Sequence, residues 1–125
     1  MILVDSDVLI DIIRSIPNAI EWLESLEQPP AISCFAAMEL LFGSQNTREL
    51  TNVQQFLQKF EIIWPYPTDI MRAASYAKYK LSDGVGLIDA LTAALAIGHQ
   101  MVLITFNKRH FTPIPGIQTI QPYAR

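Results

Sequence analysis

The chain has 125 residues, of which 50% are hydrophobic and only 17% charged, and its net charge is −3. This length predicts one domain that buries a core of its own. The acidic balance argues against a protein that coats nucleic acid through a broad basic surface, although bound metal ions can still supply positive charge to a nuclease. No apolar run approaches the roughly 18 residues of a membrane helix, and the N-terminus lacks a signal-peptide pattern. The lone cysteine, Cys34, has apolar neighbours, so we expect a cytoplasmic protein without membrane contact and a thiol in the core.

The apolar pattern predicts short strands that alternate with helices. In chain order, we expect a strand at 2–4, helices at 8–14 and 16–27, a strand at 31–33, helices at 35–42 and 47–60, a strand at 61–64, helices at 69–81 and 87–98, a strand at 101–105 and a further candidate strand at 117–120. Gly43 predicts a left-handed C-cap for the helix before it. The strands are continuously apolar, which is typical of a parallel sheet covered on both faces. The expected fold class is therefore α/β, a three-layer α/β/α sandwich with a central, mainly parallel sheet of four to five strands.

Acidic or amide side chains follow several of the predicted strands. Asp5 and Asp7 come directly after the first strand, and Asn107 comes soon after a late one. Glu39 lies in the helix that follows the second strand, and Asp89 lies in the first turn of its own helix. Ligands of such folds bind beyond the carboxyl ends of the strands. We therefore expect these side chains to meet near one rim of the sheet.

Each acid also has an ordinary structural interpretation. Asp5 can cap the helix that follows it by accepting a hydrogen bond from a free backbone amide. Asp7 and Asp89 can act as first-turn acids that interact favourably with the helix dipole. For Asp7 this structural role is the favoured interpretation.

Glu39 is the most informative of these residues, because it lies in FAAMELLFG among apolar neighbours. We predict little access to water for its carboxylate, and an unpaired buried carboxylate is strongly destabilising. An arginine partner would satisfy it structurally. If it instead meets Asp89, the two acids repel each other and raise each other's pKa unless a cation lies between them. Clustered carboxylates favour Mg²⁺ or Mn²⁺, and the predicted ligands are Asp5, Glu39 and Asp89.

Hydroxyl and basic side chains surround the predicted rim. Ser6 and Thr105 lie at strand ends, where they either orient a water molecule or a phosphate oxygen, or make ordinary turn hydrogen bonds. A short basic segment follows Asn107 and is either a set of phosphate contacts or a solvated turn; it consists of Lys108, Arg109 and His110. Neither histidine of the chain shares a metal-ligand spacing with the cysteine, so zinc is not expected.

Four segments of the chain, MILVDSDVLID, FAAMELLFG, GLIDALTAALAIG and VLITFNKRHF, resemble the four sequence blocks of the PIN-domain ribonucleases. The closest likeness is to the VapC-type toxins of bacterial toxin–antitoxin modules. Each block is weak by itself, but the four occur in the family's order and span essentially the whole chain. The resemblance implies one PIN-like domain at 1–125 that cleaves RNA as a divalent-metal endoribonuclease, with Mg²⁺ or Mn²⁺ as cofactor. It also implies a homodimer and a cognate antitoxin as partner, and the apolar surplus of the composition fits a subunit interface.

The resemblance also assigns roles to residues of this chain. The family's first, second and third acids correspond to Asp5, Glu39 and Asp89. Asp5 and Asp89 are the implied direct metal ligands, and Glu39 either binds metal or takes a proton from water. The fourth position is an aspartate in many members and is Asn107 here, which implies a weaker ligand or a water-positioning group. Asp7 stands where the family often has a small polar residue, so its implied role is auxiliary.

Two other functions remain open on the sequence. A strand that ends in Asp-x-Asp also begins the haloacid-dehalogenase-like phosphatases, in which Asp5 would be the nucleophile and Asp7 the general acid. That scheme leaves Glu39 unused, and no acidic pair follows a late strand to hold its metal. The second alternative is a catalytically inactive PIN-like binding module, and Asn107 would be one step towards losing the acidic cluster.

Overall fold

A computed structural model describes residues 1–125. A sheet of five short strands lies at its centre. The strands are β1 (Ile2–Val4), β2 (Ala31–Ser33), β3 (Ile62–Ile63), β4 (Val102–Ile104) and β5 (Thr119–Ile120). All neighbouring strands are parallel, in the order β3-β2-β1-β4-β5. The expected parallel sheet is therefore confirmed, with five strands.

Helices cover both faces of this sheet. They are α1 (Ser6–Ile13), α2 (Pro17–Glu24), α3 (Cys34–Phe42), α4 (Thr47–Leu57), α5 (Pro67–Ala74), α6 (Ala77–Asp83), α7 (Leu87–Gly98) and α8 (Lys108–Phe111). Successive strand residues point to opposite faces, so Leu3 packs with α5 and α7 in one core cluster, and Val4 packs with α1, α3 and α4 in another. The result is the predicted three-layer α/β/α sandwich. None of the helices has the length and apolar character that crossing a bilayer requires.

Several predicted boundaries were wrong. The helix expected at 69–81 is two helices, α5 and α6, separated by a turn at 75–76. The helices expected at 16–27 and 47–60 end earlier, at Glu24 and Leu57. Residues 108–111 form the short helix α8, which the apolar pattern did not indicate.

The predicted left-handed cap at Gly43 was also wrong. Gly43 has a φ of −79° and continues the right-handed conformation of α3, with its N–H donating to the Glu39 carbonyl. The left-handed glycine cap lies instead at Gly84, where φ is +73° and α6 ends. Here the chain must turn sharply into the loop before α7, a conformation that glycine adopts without steric cost. Cys34 is buried and free, as expected.

Candidate active site

The candidate site lies at the carboxyl ends of β1 and β4, which are neighbours in the sheet although most of the chain separates them. From β1 the chain adds β2 and β3 on one side and later adds β4 and β5 on the other. A crevice opens at the carboxyl ends of a parallel sheet where the strand order reverses in this way. Asp5 follows β1 on one side of this crevice, and Asn107 follows β4 on the other.

Asp5 has the capping role considered for it, and it also faces the candidate cleft. Its Oδ1 accepts a hydrogen bond of 2.8 Å from the Ser6 N–H, so it caps α1. Its Oδ2 accepts a hydrogen bond of 2.8 Å from the Thr105 hydroxyl, at the end of β4. The residue is only 9% exposed, yet it lines a cleft together with Glu39 and Asp89.

Burial and neighbouring charge raise the pKa of Asp5 to about 6. Burial is the largest cause, and repulsion from Asp7 and Asp89 adds to it, while the hydrogen bonds from Thr105 and Ser6 act in the opposite direction. The hydrogen bonds therefore do not fully offset the cost of ionising a buried carboxyl group beside two other acids.

Glu39 lies on α3, and the prediction that its carboxylate is withdrawn from water was wrong. The residue is exposed at the edge of the cleft. Only one side of α3 packs into the core, whereas Met38 and Phe42 are exposed, Phe42 by 82%. Apolar sequence neighbours therefore do not bury Glu39. Partial burial against the cleft wall raises the pKa of its carboxyl group, the charge of Asp89 raises it further, and the nearby Ser6 hydroxyl lowers it.

Asp89 lies in the first turn of α7, where Gly86 is the N-cap and offers no capping side chain. Its Oδ2 lies 3.2 Å from Nδ1 of His110, on α8. Both side chains line the cleft. The basic segment expected beside the site forms most of α8. His110 contacts an acid of the cleft, and Lys108 and Arg109 are exposed on the same short helix.

The cleft that these residues enclose has a volume of about 370 Å³. It brings together side chains from four separate parts of the chain: the start of α1, the middle of α3, the start of α7 and the turn after β4. Its lining residues are Asp5, Ser6, Glu39, Gly86, Leu87, Ile88, Asp89, Asn107 and His110.

Comparison with known proteins decides the family. The sequence model of the PIN domain matches residues 2–115. This protein belongs to the PIN-domain family. Among its relatives, Ribonuclease VapC10 of Mycobacterium tuberculosis is 37% identical over 131 residues, covering 98% of this chain and 92% of that protein.

Solved structures agree with this PIN-domain membership. A toxin–antitoxin complex from Klebsiella pneumoniae has a chain that is 28% identical, with a TM-score of 0.80 and coverage of 100% of both chains. DNA-bound VapBC from Salmonella typhimurium has a TM-score of 0.81 at 25% identity, covering 96% of this chain and 98% of that chain. The predicted family and fold are therefore confirmed.

Asp7 of this PIN domain does not line the cleft. Its Oδ1 accepts a hydrogen bond of 2.7 Å from the Val8 N–H, and its Oδ2 accepts one of 2.9 Å from the Phe106 N–H. These contacts tie the first turn of α1 to the turn after β4. Both oxygens thus accept hydrogen bonds within the fold, and the carboxylate lies outside the cleft in which a general acid would have to meet a substrate. This geometry and the family match both contradict the phosphatase interpretation.

Thr105 has the same kind of internal role. It is fully buried, its hydroxyl donates to Asp5, and its Oγ1 accepts a hydrogen bond of 3.0 Å from the Asn107 N–H. Thr105 therefore makes the internal hydrogen bonds of a turn, which was one of its two predicted roles. Its burial leaves no room for the other, a contact with water or phosphate. Thr105 connects the two sides of the crevice.

The chemistry of the donor set fits a hard divalent cation, because the acids of the cleft offer only carboxylate oxygens. Burial is the largest cause of the raised pKa of Asp5 and of Glu39, and repulsion from neighbouring acids adds to it, a repulsion that a bound cation would relieve. No three acidic, histidine or cysteine side chains are arranged closely enough to surround one ion as they stand. Glu39 is exposed and Asp89 is only partly buried, so neither side chain is packed in the core.

Two features of the site were missing from the sequence interpretation. One is the contact between His110 and Asp89, which joins the successive helices α7 and α8. The other is the cleft wall at the start of α7, made by Gly86, Leu87 and Ile88. Leu87 and Ile88 are exposed although they are large and apolar. The sequence offered one signal for this wall, the loop at 82–86 that precedes the apolar helix α7.

Proposed function

We propose that residues 1–125 form one PIN domain that hydrolyses RNA phosphodiester bonds as a divalent-metal-dependent endoribonuclease. We further propose that it is the toxin of a toxin–antitoxin pair. The observation that carries the proposal is the convergence of Asp5, Glu39 and Asp89 from three elements on one cleft, with Asn107 across from them. The likeness to a relative named as a ribonuclease supports the same activity.

The residues of the cleft divide the work of hydrolysis between them. Asp5 and Asp89 would hold Mg²⁺ or Mn²⁺, with Glu39 completing the set. When bound, the ion supplies Lewis-acid activation of water and neutralises charge on the phosphate. Glu39 is exposed and has a raised pKa, which suits it to take a proton from the attacking water. Asn107 would orient that water through its side-chain amide.

Basic side chains would position the RNA. Lys108, Arg109 and His110 lie on α8, at the rim of the cleft. An exposed basic helix beside an acidic cleft suits phosphate groups that flank the scissile bond, while the cleft itself takes the metal. His110 would release Asp89 when the metal competes for the same oxygen.

An antitoxin would dock in a groove next to the cleft. This groove, which we call the α1–α4 groove, has a volume of about 350 Å³ and is lined by residues of α1, α3 and α4. Ile10, Ile13, Leu40 and Val53 form its apolar part, and Glu39 lines both the groove and the cleft. An amphipathic segment in the groove would therefore reach the acids, and a basic side chain at its end would block the metal site.

The protein would act as a homodimer in the cytoplasm. Large apolar side chains are exposed on and beside a second groove, between α5, α6 and α7, and a second copy would cover them; these include Ile70, Met71, Leu81 and Leu87. The molar mass in solution tests this. The free thiol of Cys34 suits a reducing compartment.

The deciding experiment is RNA cleavage with Mn²⁺ or Mg²⁺, with and without EDTA, on transfer RNA, ribosomal RNA and single-stranded oligonucleotides. Wild type is compared with Glu39→Gln and Asp89→Asn, and the matched controls are Glu61→Gln and Asp83→Asn, which are exposed outside the cleft. We expect metal-dependent cleavage that the two cleft variants lose and the controls keep. Cleavage that survives in both cleft variants would refute this assignment of the site.

An inactive binding module is the remaining alternative. If wild type cleaves none of these RNAs, Mn²⁺ binding by calorimetry separates a narrow substrate range from a dead site. A site that holds no Mn²⁺ supports the inactive module.

A further inference from the structure

Residues 121–125 form a short segment that lies against the second half of α1. We call it the C-terminal strap. The Tyr123 hydroxyl donates a hydrogen bond of 2.9 Å to Oδ2 of Asp11. Arg125 adds two more, from Nε to Oδ2 at 3.2 Å and from Nη2 to Oδ1 at 3.0 Å. The strap lies outside the residues that the family model matches, 2–115.

Asp11 is an unusual anchor because it is an acid on the buried side of α1. Both of its oxygens are occupied by the strap, and Arg125 lowers the pKa of Asp11 by its hydrogen bonds. A two-point contact between guanidinium and carboxylate sets the angle of both groups as well as their distance. The strap is therefore held at a defined position on α1.

The strap also contacts the turn that follows β4, at Phe106. The Arg125 guanidinium lies over the Phe106 ring, 4.3 Å from its centroid. The Tyr123 ring meets the same ring edge to face, with centroids 5.0 Å apart. Phe106 stands between Thr105 and Asn107, and its N–H donates to Asp7 on α1.

These contacts place the strap on the two segments that form the opposite sides of the crevice. One is α1, which begins directly after Asp5. The other is the turn that carries Asn107. Neither Tyr123 nor Arg125 lines the cleft, so the strap does not touch the cleft itself, and its side chains contact the two sides of the crevice at Asp11 and Phe106.

We propose that Arg125 is a positioning residue. It sets the separation of Asp5 and Asn107 by holding α1 against the turn after β4, at Phe106. This inference rests on the proposed nuclease function and adds a residue outside the four acidic or amide positions. The distance between reacting groups affects rate steeply, and a displacement of about 1 Å can reduce it about 100-fold. Loss of the strap should therefore lower the rate of cleavage more than it weakens RNA binding.

The test compares Arg125→Met with Arg125→Lys and with a matched control, Arg48→Met, which removes an exposed arginine from α4. Single-turnover cleavage is measured well below the melting temperature of every variant. For Arg125→Met we expect the maximal rate to fall about 10-fold, with half-saturating RNA within about twofold of wild type. Arg125→Lys should recover only part of the rate, because lysine keeps the charge but not the paired geometry. Arg48→Met should match wild type.

A second measurement does not depend on cleavage. The backbone amide resonances of Ser6 and Asn107 are recorded by NMR in wild type, Arg125→Met and Arg48→Met. We expect both amides to shift in Arg125→Met alone. If wild type cleaves no RNA and binds no Mn²⁺ but these shifts appear, the nuclease proposal fails and the positioning role stands. If Arg125→Met melts earlier but keeps the wild-type rate, or leaves both amides unshifted, the strap only stabilises the fold and the inference is wrong.

Discussion

Thr105 and Asp5 are 100 residues apart in the chain, and the Thr105 hydroxyl donates a hydrogen bond of 2.8 Å to the Asp5 carboxylate. Thr105 is fully buried, and its oxygen also accepts the Asn107 N–H. One hydroxyl thus joins the first and the fourth position of the candidate site. A buried hydroxyl therefore connects the two sides of the cleft from within the fold.

Replacing this hydroxyl should damage both fold and site. Thr105→Val keeps the volume but leaves a carboxylate oxygen and a backbone N–H without a partner, which destabilises a protein by about 1–3 kcal/mol. We expect a lower free energy of unfolding in urea and slower cleavage at saturating metal. Thr112→Val, at an exposed position, is the control. A Thr105→Val protein with the stability of that control would show that this hydrogen bond contributes nothing.

The charge of Asp5 should make the metal-free protein less stable as pH rises. The fold raises the pKa of this carboxyl group from its ordinary value of 3.8 to about 6, so between these values the unfolded chain has released the proton and the folded chain still binds it. The resulting loss of stability builds up through this window and is complete above it, at about 3 kcal/mol. We expect metal-free Asp5→Asn to melt at a higher temperature than wild type near pH 8, and the gap to shrink towards pH 4. A gap that does not change with pH would argue against a raised pKa.

Divalent metal should stabilise wild type by binding only the folded state. At a concentration about 100 times its dissociation constant, Mn²⁺ adds about 2.7 kcal/mol. Thermal melts with Mn²⁺, and again after EDTA, measure this directly. Asp89→Asn should lose most of the shift, whereas Asp83→Asn should retain it. Equal shifts in the two variants would mean that the ion binds elsewhere.

Gly98 should tolerate no side chain, for a reason unrelated to the active site. A Cβ at this position would lie 1.9 Å from Oδ1 of Asp69. Asp69 is 1% exposed and is held by the Tyr66 N–H and by Arg72, so it cannot move aside. Gly98→Ala should therefore destabilise the fold by about 1–3 kcal/mol in urea titrations.

A double-mutant cycle tests the cause of that loss. In the Asp69→Ser background the carboxylate is absent, so Gly98→Ala should add much less destabilisation there. An equal cost in both backgrounds would mean that the overlap with Asp69 is not responsible.

The proposed antitoxin groove can be tested with two matched isoleucines of the same region. Ile13 lines the α1–α4 groove, and Ile16 does not, while both are about equally exposed. Ile13→Arg should weaken binding of the cognate antitoxin at least about 10-fold, since a buried unpaired charge costs more than the roughly 1.4 kcal/mol this requires. Calorimetry with Ile16→Arg as the control measures the difference. Equal affinities would place the antitoxin on another surface.

The sequence predicted the site through rules of chain order. Asp5 and Asn107 follow strands, and the carboxyl ends of parallel strands meet at one edge, so their approach could be anticipated without coordinates. Glu39 does line the candidate cleft, but the reason given for it was wrong, because an apolar sequence does not say which face of a helix is buried. The exposed Met38 and Phe42 show that only one face of α3 packs into the core. Similar ambiguity hid the turn between α5 and α6, which no proline or glycine marks.

The sequence by itself thus determined the layered architecture and the set of acids, since apolar periodicity and strand ends are local properties of the chain. Only the tertiary structure decided how each polar group is used. It directed Asp7 inward to Phe106, paired His110 with Asp89 and brought Arg125 onto Asp11. Each of these contacts joins residues that are distant in sequence. Their partners are chosen by the packing of whole helices against the sheet, which no local pattern encodes.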